Sequence, residues 1–146
     1  MKIFATLAVI VLSFMFVTSA FAASPHFVEG PFFTDLGSSL NATGKIAGLG
    51  NEDVTVTLEA TGVADTQCRN KGGNVAPGQD TLVTATGSQT IFDPKNGNVI
   101  FNVTTDPIVI GNEVCPNDHW TAEVVDVTFT DVTLTVEQGG KVVLVA

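Results

Sequence analysis

The 146-residue chain carries fifteen Asp and Glu residues against six Lys and Arg, so its formal net charge is −9 at pH 7. This negative field repels phosphate backbones and anionic head groups, which argues against nucleic-acid and lipid-surface partners. The hydrophobic fraction of 45% suits one packed domain, and no repeat or linker composition suggests a second.

The N-terminal segment has the layout of a secretory signal peptide. Lys2 precedes an uncharged apolar run at residues 3–17, and the small-residue exit Ala20-Phe21-Ala22 follows. We predict that residues 1–22 are a signal peptide and that residues 23–146 form a single domain with a net charge of about −10. An uncleaved membrane anchor is the alternative, because the uncharged stretch is nearly long enough to span a bilayer. The exit motif favours cleavage, so we expect a secreted or cell-surface protein whose mature chain does not insert into a membrane.

Beyond the leader, apolar residues alternate with polar residues instead of following a helical period. Val54, Val56 and Leu58 share one face of a strand while Thr and Glu residues occupy the other, which is typical of a half-buried strand. Strands are predicted, in chain order, at residues 32–35, 39–46, 54–61, 81–86, 89–92, 99–104, 108–110, 120–129, 132–136 and 142–145. About eight or nine short strands with frequent turns predict an all-β, antiparallel two-sheet sandwich of immunoglobulin-like topology.

Turn residues and a phase change add detail to this prediction. The pairs Asn96-Gly97 and Gly139-Gly140 accept the positive φ that tight turns require, so residues 93–97 and 138–141 are predicted hairpin connections. Within residues 120–129 the apolar alternation changes phase near Val124. This predicts a β-bulge near Val124, with a strand buried on both faces as the alternative.

Cys68 and Cys115 are the only cysteines, and in an exported protein they are expected to form one disulfide. The Gly- and Asn-rich residues 65–80 and the residues 111–119 are predicted loops, which the bond would bring together. Their polar side chains form the candidate binding loops, namely Arg69, Asn70, Lys71, Asn74, Glu113, Asn117, Asp118 and His119. Loops that merely need a covalent tether would have the same composition.

The glycine and cysteine punctuation of the mature chain resembles a group of small secreted bacterial β-rich proteins with one disulfide, usually labelled hypothetical. The resemblance rests on Ser24-Pro25-His26-Phe27-Val28, Ala47-Gly48-Leu49-Gly50-Asn51, the Cys68 to Asn74 run with Pro77, Lys95-Asn96-Gly97, and Cys115-Pro116. It implies a secreted, disulfide-bonded β domain and implies no particular activity.

The sequence contains no recognised catalytic motif. Only His26 and His119 could serve as imidazole bases, and neither is spaced with a nucleophile, so no catalytic residue is assigned and no cofactor is expected. Calcium is the most credible metal, because hard cations take oxygen ligands from acidic loops. The weak candidates are Asn51, Glu52 and Asp53, with Glu113, Asn117 and Asp118 near the disulfide.

The aromatic residues argue against a sugar-binding cleft. The mature chain has one Trp, no Tyr and six Phe residues, which we expect in the core: Phe27, Phe32, Phe33, Phe92, Phe101 and Phe129. Asn41 and Asn102 each begin an N-x-Thr glycosylation sequon, which matters only in a host that glycosylates exported proteins.

Together these features predict a secreted, non-enzymatic structural or interaction protein, such as a cell-surface or extracellular-matrix subunit. Its partner would be a second copy, joined through an edge strand, or another extracellular protein. One alternative is a monomeric binding module that uses the disulfide-tethered loops to hold calcium or a protein ligand. The other is a small secreted hydrolase using Asp126, Asp131 and His119.

Overall fold

The computed structural model describes residues 24–146, so the predicted signal peptide lies outside the described residues. Eight strands run through the described part of the chain: β1 His26–Asp35, β2 Leu40–Ala47, β3 Val54–Asn70, β4 Val75–Pro77, β5 Thr81–Ile91, β6 Val99–Thr104, β7 Trp120–Gln138 and β8 Lys141–Val145. Two single-turn 3₁₀ helices lie at Lys95–Gly97 and Asn112–Val114. The predicted all-β class is confirmed.

The strands form two antiparallel sheets. The three-stranded sheet has the order β1-β2-β6. In the five-stranded sheet β7 pairs with one edge of β3 along its whole length, β5 and β4 share the other edge of β3, and β8 extends beyond β7. The predicted two-sheet sandwich is therefore confirmed, whereas the immunoglobulin-like topology stays a prediction.

The core follows from period-two alternation, because successive side chains of a strand point to opposite faces. Val54, Val56 and Leu58 of β3 face Ile46 of β2 and Phe101 of β6 in one buried cluster. The remaining buried members are Leu40, Ala42, Leu49, Ala60, Val99, Val103, Leu134 and Val136. This cluster occupies the half of the β3–β7 ribbon that ends at Val54 and Gln138.

The other half of the β3–β7 ribbon has a different cover. Its inward residues are small, including Ala64, Thr66 and Cys68, and all three are buried. The irregular segment 105–115 is bonded to both sheets: the Thr105 N–H donates to Leu40 O of β2, and the Asp106 N–H donates to Thr86 O of β5. Val114 O, farther along the segment, accepts the Gln79 N–H from the turn between β4 and β5. The Cys68–Cys115 disulfide, which was predicted and is confirmed, fastens this segment to β3.

The prediction that residues 65–80 form a long loop is wrong. Residues 65–70 complete β3 and Val75–Pro77 form β4, so only residues 71–74 and 78–80 of this range lie outside strands. Thr66 and Cys68 pair with Val124 and Ala122 of β7. This part of the backbone therefore has a strand partner, although the Gly- and Asn-rich composition predicted a loop without one. Polar residues on the solvent face of a strand produced the loop signal.

Two other local predictions are also wrong. Residues 93–97 do not close a hairpin, because β5 pairs with β3 and β6 pairs with β2, so this turn crosses between the sheets. The positive φ expected there is present at Asp93, Asn96 and Gly97. Residues 108–110 are in no strand, because they lie within the covering segment.

The glycine hairpin and the bulge are confirmed. Gly139 and Gly140 have φ values of 58° and 75° and join β7 to β8, since a two-residue turn with both φ values positive matches the twist of paired strands. The register between β3 and β7 shifts where Val125 is inserted, one residue from the predicted position. A second shift in the same ladder falls at Thr130.

Within residues 24–146, no helix has the length and apolar character needed to cross a membrane.

Candidate functional site

The disulfide brings the two predicted binding loops to one end of the molecule. Arg69 and Asn70 are the last residues of β3, and Asn70 pairs with Trp120 at the start of β7. The other predicted residues lie in the turns on either side: Lys71, Asn74, Glu113, Asn117, Asp118 and His119. These residues therefore lie at one end of the molecule, as the predicted disulfide implied.

Several of these polar groups are occupied in holding their own turns. Asn70 Oδ1 accepts the Asn74 N–H at 2.9 Å, and Asn117 Oδ1 accepts the His119 N–H at 3.0 Å. Asn and Asp side chains commonly form such local bonds, which replace a backbone partner in a turn. These side chains act first as turn caps, which leaves fewer polar groups directed at a ligand.

Arg69 forms an ion pair with Glu123 on the solvent face of the same sheet. Arg69 Nε lies 2.9 Å from Glu123 Oε1, and Gln67 Nε2 donates to Glu123 Oε2 at 2.6 Å. The hydrogen bonds from Arg69 and Gln67 hold the pKa of Glu123 below its ordinary value. The same contact with Glu123 raises the pKa of Arg69. This triad fixes the end of β3 to β7.

The calcium candidates are divided between the two ends of β3. Asp53 precedes β3, whereas Glu113 lies beside the disulfide at the far end, about 50 Å away along a strand of this length. Asp53 Oδ1 accepts the Asp93 N–H at 3.1 Å, and Glu52 O accepts Gln138 Nε2 at 2.8 Å. Across residues 24–146, no group of three or more His, Cys, Asp or Glu side chains could hold a metal ion.

The residues of the hydrolase alternative are spread along one strand. Asp126 and Asp131 both belong to β7, and His119 lies in the turn that precedes it. Asp126 stands directly opposite Asp65 on β3, whereas Asp131 stands opposite Thr61. Like charges in such a cross-strand pair are destabilising, and both are exposed to solvent. Strand spacing therefore separates these three side chains instead of directing them at one substrate.

The first and last strands both pair within the chain. β1 contains the N-terminal arm and pairs with β2, and β8 pairs with residues 135–138 of β7. The remaining outer edge of β7 has no strand beside it among the described residues. Asn112 Oδ1 accepts the Ala122 N–H on this edge, and bulges interrupt it at Val125 and Thr130.

Exposed apolar side chains lie on the outer face of the three-stranded sheet and in the turn that follows β5. Phe32 is 62% exposed, Phe92 is 74% exposed and Ile100 is 77% exposed. Phe33 is also exposed. The prediction that all six Phe residues belong to the core is therefore wrong for Phe32, Phe33 and Phe92. Phe101 is buried in the core cluster, and its ring packs edge-on against Phe27.

The register of the sheet explains why these residues face solvent. Phe32 of β1 pairs with Thr43 of β2, which pairs with Asn102 of β6. The neighbouring outward row places Lys45 of β2 beside Ile100 of β6. We call the surface formed by Phe32, Thr43, Lys45, Asn102, Ile100 and Phe92 the outer-face groove.

The two glycosylation sequons meet at one end of this face. Asn41 Nδ2 donates to Asn102 Oδ1 at 2.7 Å and to Thr104 Oγ1 at 2.8 Å. It also reaches Val103 O at 3.2 Å. These bonds join β2 to β6 across the solvent face and fix the orientation of the Asn102 amide at the groove.

A sequence signal for the outer-face groove exists in Phe32-Phe33 and Ile100-Phe101. Adjacent residues on a strand point to opposite faces, so two consecutive large apolar side chains cannot both enter a one-sided core. Because Phe101 belongs to the buried parity of β6, Ile100 has to face outwards.

Comparison of the chain with protein-family models, curated proteins and solved structures gives no match.

Proposed function

We propose that this chain is an extracellular, non-enzymatic interaction protein that binds its partner through the outer-face groove. The observation that carries the proposal is the exposure of Phe32 and Ile100 beside Lys45 on the outer face of the three-stranded sheet, with exposed Phe92 in the adjoining turn after β5. Contiguous apolar surface of this kind marks interaction sites, because leaving it in water sacrifices the free energy that burial would contribute.

Export is supported by two independent features. The leader sequence predicts secretion, and a disulfide that tethers the covering segment is compatible with an oxidising compartment. The excess of acidic residues keeps the remaining surface strongly hydrated and suits a protein that stays soluble outside the cell.

A binding role accounts for the polar groups better than an enzymatic one. Asn70, Asn117 and Asp53 cap turns, and Glu123 is engaged by Arg69. Catalysis requires a nucleophile, a base and an orienting group within hydrogen-bond reach of one another. These side chains are already engaged in hydrogen bonds and an ion pair within the protein.

The experiment measures binding of the labelled mature protein to extracellular matrix and cell envelopes of the producing organism. Wild type should bind saturably, and a triple variant F32S/F92S/I100S should lose most of this binding. Leu82 and Val109 are 85% and 89% exposed on other surfaces, so L82S/V109S is a matched control that should bind like wild type. Equal loss in the control, or no saturable binding by wild type, would contradict the proposal.

Self-association through β7 is a second candidate, because among residues 24–146 its outer edge has no strand partner beyond the short pairing with β8. An uncovered edge offers unpaired N–H and C=O groups to a second strand. Sedimentation velocity over a broad concentration range tests it, and a constant monomeric mass would rule it out. The bulges at Val125 and Thr130 favour that monomeric result, since they interrupt regular pairing.

A further inference from the structure

The edge of β5 that faces away from β3 is open over the first half of the strand. Thr86 O accepts the Asp106 N–H at 2.8 Å, so the Thr86 carbonyl points to this edge and not to β3. In an antiparallel strand the N–H and C=O groups of one residue point to the same edge, and this direction alternates along the strand. Leu82 and Thr84 share the parity of Thr86, so their N–H and C=O groups also point away from β3. Within residues 24–146, no strand pairs with these groups and no loop backbone bonds to them.

A cleft of about 360 Å³ separates this edge from the covering segment 105–115. The segment is bonded to the β5 side only at the two ends of the cleft, through the Asp106 N–H and through Val114 O, which accepts the Gln79 N–H. Between these points the Ile108 N–H donates to Ser38 O, in the turn between β1 and β2, so the other sheet holds this part of the segment away from β5. We call this space the β5-edge cleft, which is lined by Thr81–Thr86, Asp106–Gly111, Glu113 and Val114.

The β5-edge cleft has main-chain donors and acceptors on one wall and apolar side chains on the other. Ile108 and Ile110 are half-buried in the wall formed by the covering segment. The backbone from Leu82 to Thr86 spans about 13 Å, which matches about four residues of extended chain. An antiparallel segment of that length would exchange two hydrogen bonds with Leu82 and two with Thr84. The side chain of Leu82 is exposed to solvent, so the added segment would contact this residue through its backbone.

The charged residues of the cleft all have one sign. Asp106 lies at one end, beside Thr86, and Glu113 lies at the other end, beside Val114. Among the described residues no Lys, Arg or His lines the cleft, and within residues 24–146 neither carboxylate forms an ion pair. The chain as a whole has a net charge of −9, so the local and the overall fields both attract a cationic occupant and repel a second copy.

We propose that the β5-edge cleft binds an extended peptide segment of another extracellular protein, which carries a basic residue near each end and adds a strand to β5. Strand addition takes its affinity from main-chain hydrogen bonds and its selectivity from side-chain contacts. The peptide backbone would bond to Leu82 and Thr84, and its apolar side chains would pack on the covering segment. Its basic residues would meet Asp106 and Glu113. The site goes beyond the proposed function, because it shares no lining residue with the outer-face groove.

The test uses the blocked synthetic peptide Lys-Val-Thr-Val-Lys, titrated into the mature, oxidised protein up to the millimolar range and followed by NMR. Hydrogen exchange of the Leu82 and Thr84 amides should slow on binding, because these N–H groups gain acceptors. The same peptide with its three central amide nitrogens methylated keeps both charges but loses its main-chain donors, so it should not bind. The peptide Glu-Val-Thr-Val-Glu should not bind either, because its charges are repelled.

Two variants, each with a matched control, test the edge and the charges separately. T84P removes an N–H that points away from β3, so the ladder with β3 is kept and peptide binding should be lost. T90P makes the same change at the same parity of β5 outside the cleft and should bind like wild type. D106N/E113Q should weaken binding about fivefold, since two exposed ion pairs are lost. D126N/E137Q removes the same charge from β7 and should bind like wild type.

Equal binding of the methylated peptide, protection of other amides instead, equal losses in a variant and its control, or no binding would each overturn the inference. If T84P fails to fold, exchange in the wild-type protein and the methylated peptide decide the question. If a second copy occupies the edge, wild type will sediment as a dimer whose Leu82 and Thr84 amides are already protected, and the inference fails. Unchanged matrix binding by F32S/F92S/I100S would contradict the proposed function alone, so the two proposals fail independently.

Discussion

Breaking the Cys68–Cys115 bond should lower the free energy of unfolding by a large fraction while the β sandwich still folds. The bond fastens segment 105–115 over the half of the β3–β7 ribbon whose inward residues are small. Without the disulfide, that half of the β3–β7 ribbon keeps its backbone hydrogen bonds, but only a few apolar contacts hold the covering segment against it. The perturbation is reduction of the wild-type protein, compared with a C68A/C115A variant that has no thiols.

The magnitude follows from the loop that the bond closes. The two cysteines are 47 residues apart, so the chain-entropy relation gives a loss of about 4 kcal/mol on reduction. Domains of ordinary stability have about 5–15 kcal/mol in total, so the reduced protein should remain folded at room temperature. The midpoint of thermal unfolding should fall by about 15 °C, by the usual conversion for a domain of this size.

Urea unfolding followed by circular dichroism measures the effect. The reduced wild type and C68A/C115A should agree within about 1 kcal/mol, because truncating the buried Cys68 removes little more than one methylene equivalent. Reducing agent should not alter the curve of C68A/C115A, which controls for effects of the reagent. A loss below about 1 kcal/mol on reduction would refute the view that the bond holds the covering segment in place.

Three further predictions concern single positions. Arg69 depresses the pKa of Glu123 in the folded state, so ionised Glu123 stabilises the fold above its ordinary pKa of about 4.3, and this contribution is lost as pH falls through the folded pKa. E123Q should therefore flatten the acid limb of a curve of unfolding free energy against pH. An unchanged acid limb would contradict this. Gly87 lies so close to a β6 carbonyl that G87A should cost about 1–3 kcal/mol in urea unfolding, and wild-type stability would show that the two sheets separate easily there. Asp126 opposes Asp65, so D126K should raise stability by about 0.5–1 kcal/mol at low salt and by less at high salt, with a salt-independent change counting against an electrostatic cause.

Much of the architecture could be predicted from residue parity. The alternation of Val54, Val56 and Leu58 with polar residues identified the central strand, and Gly139-Gly140 identified the hairpin between β7 and β8. The phase change beside Val124 located a bulge within one residue. These features depend on local chemistry, so the sequence alone contains them.

Strand length and partnership could not be predicted in the same way. The composition of residues 65–70 predicts a loop because the stretch is polar. It is a strand only because Cys68 and its neighbours pair with Ala122 and the adjoining residues of β7. The turn after β5 had correct hairpin chemistry, yet β6 joined β2 in the other sheet. Which strands pair depends on packing between distant segments, and local composition does not specify it.

The candidate site shows the same division. The sequence placed the disulfide-tethered residues together but did not indicate that Asn70 and Asn117 would be used as turn caps. Strand parity accounts for the exposure of Ile100, because the adjacent Phe101 faces the core. The alignment of Phe32 and Ile100 with Phe92 required the crossing between sheets, which the sequence did not reveal.

The hydrogen-bonded pair Asn41 and Asn102 has a consequence for how the protein should be produced. Asn102 lines the groove, so an N-linked oligosaccharide added there by a yeast or mammalian secretory pathway would cover the recognition surface with the host's own sugars. Modification of Asn41 would remove a proton from an amide nitrogen that joins β2 to β6. Export to the periplasm of a bacterium that lacks oligosaccharyltransferase would permit disulfide formation and leave both amides unmodified.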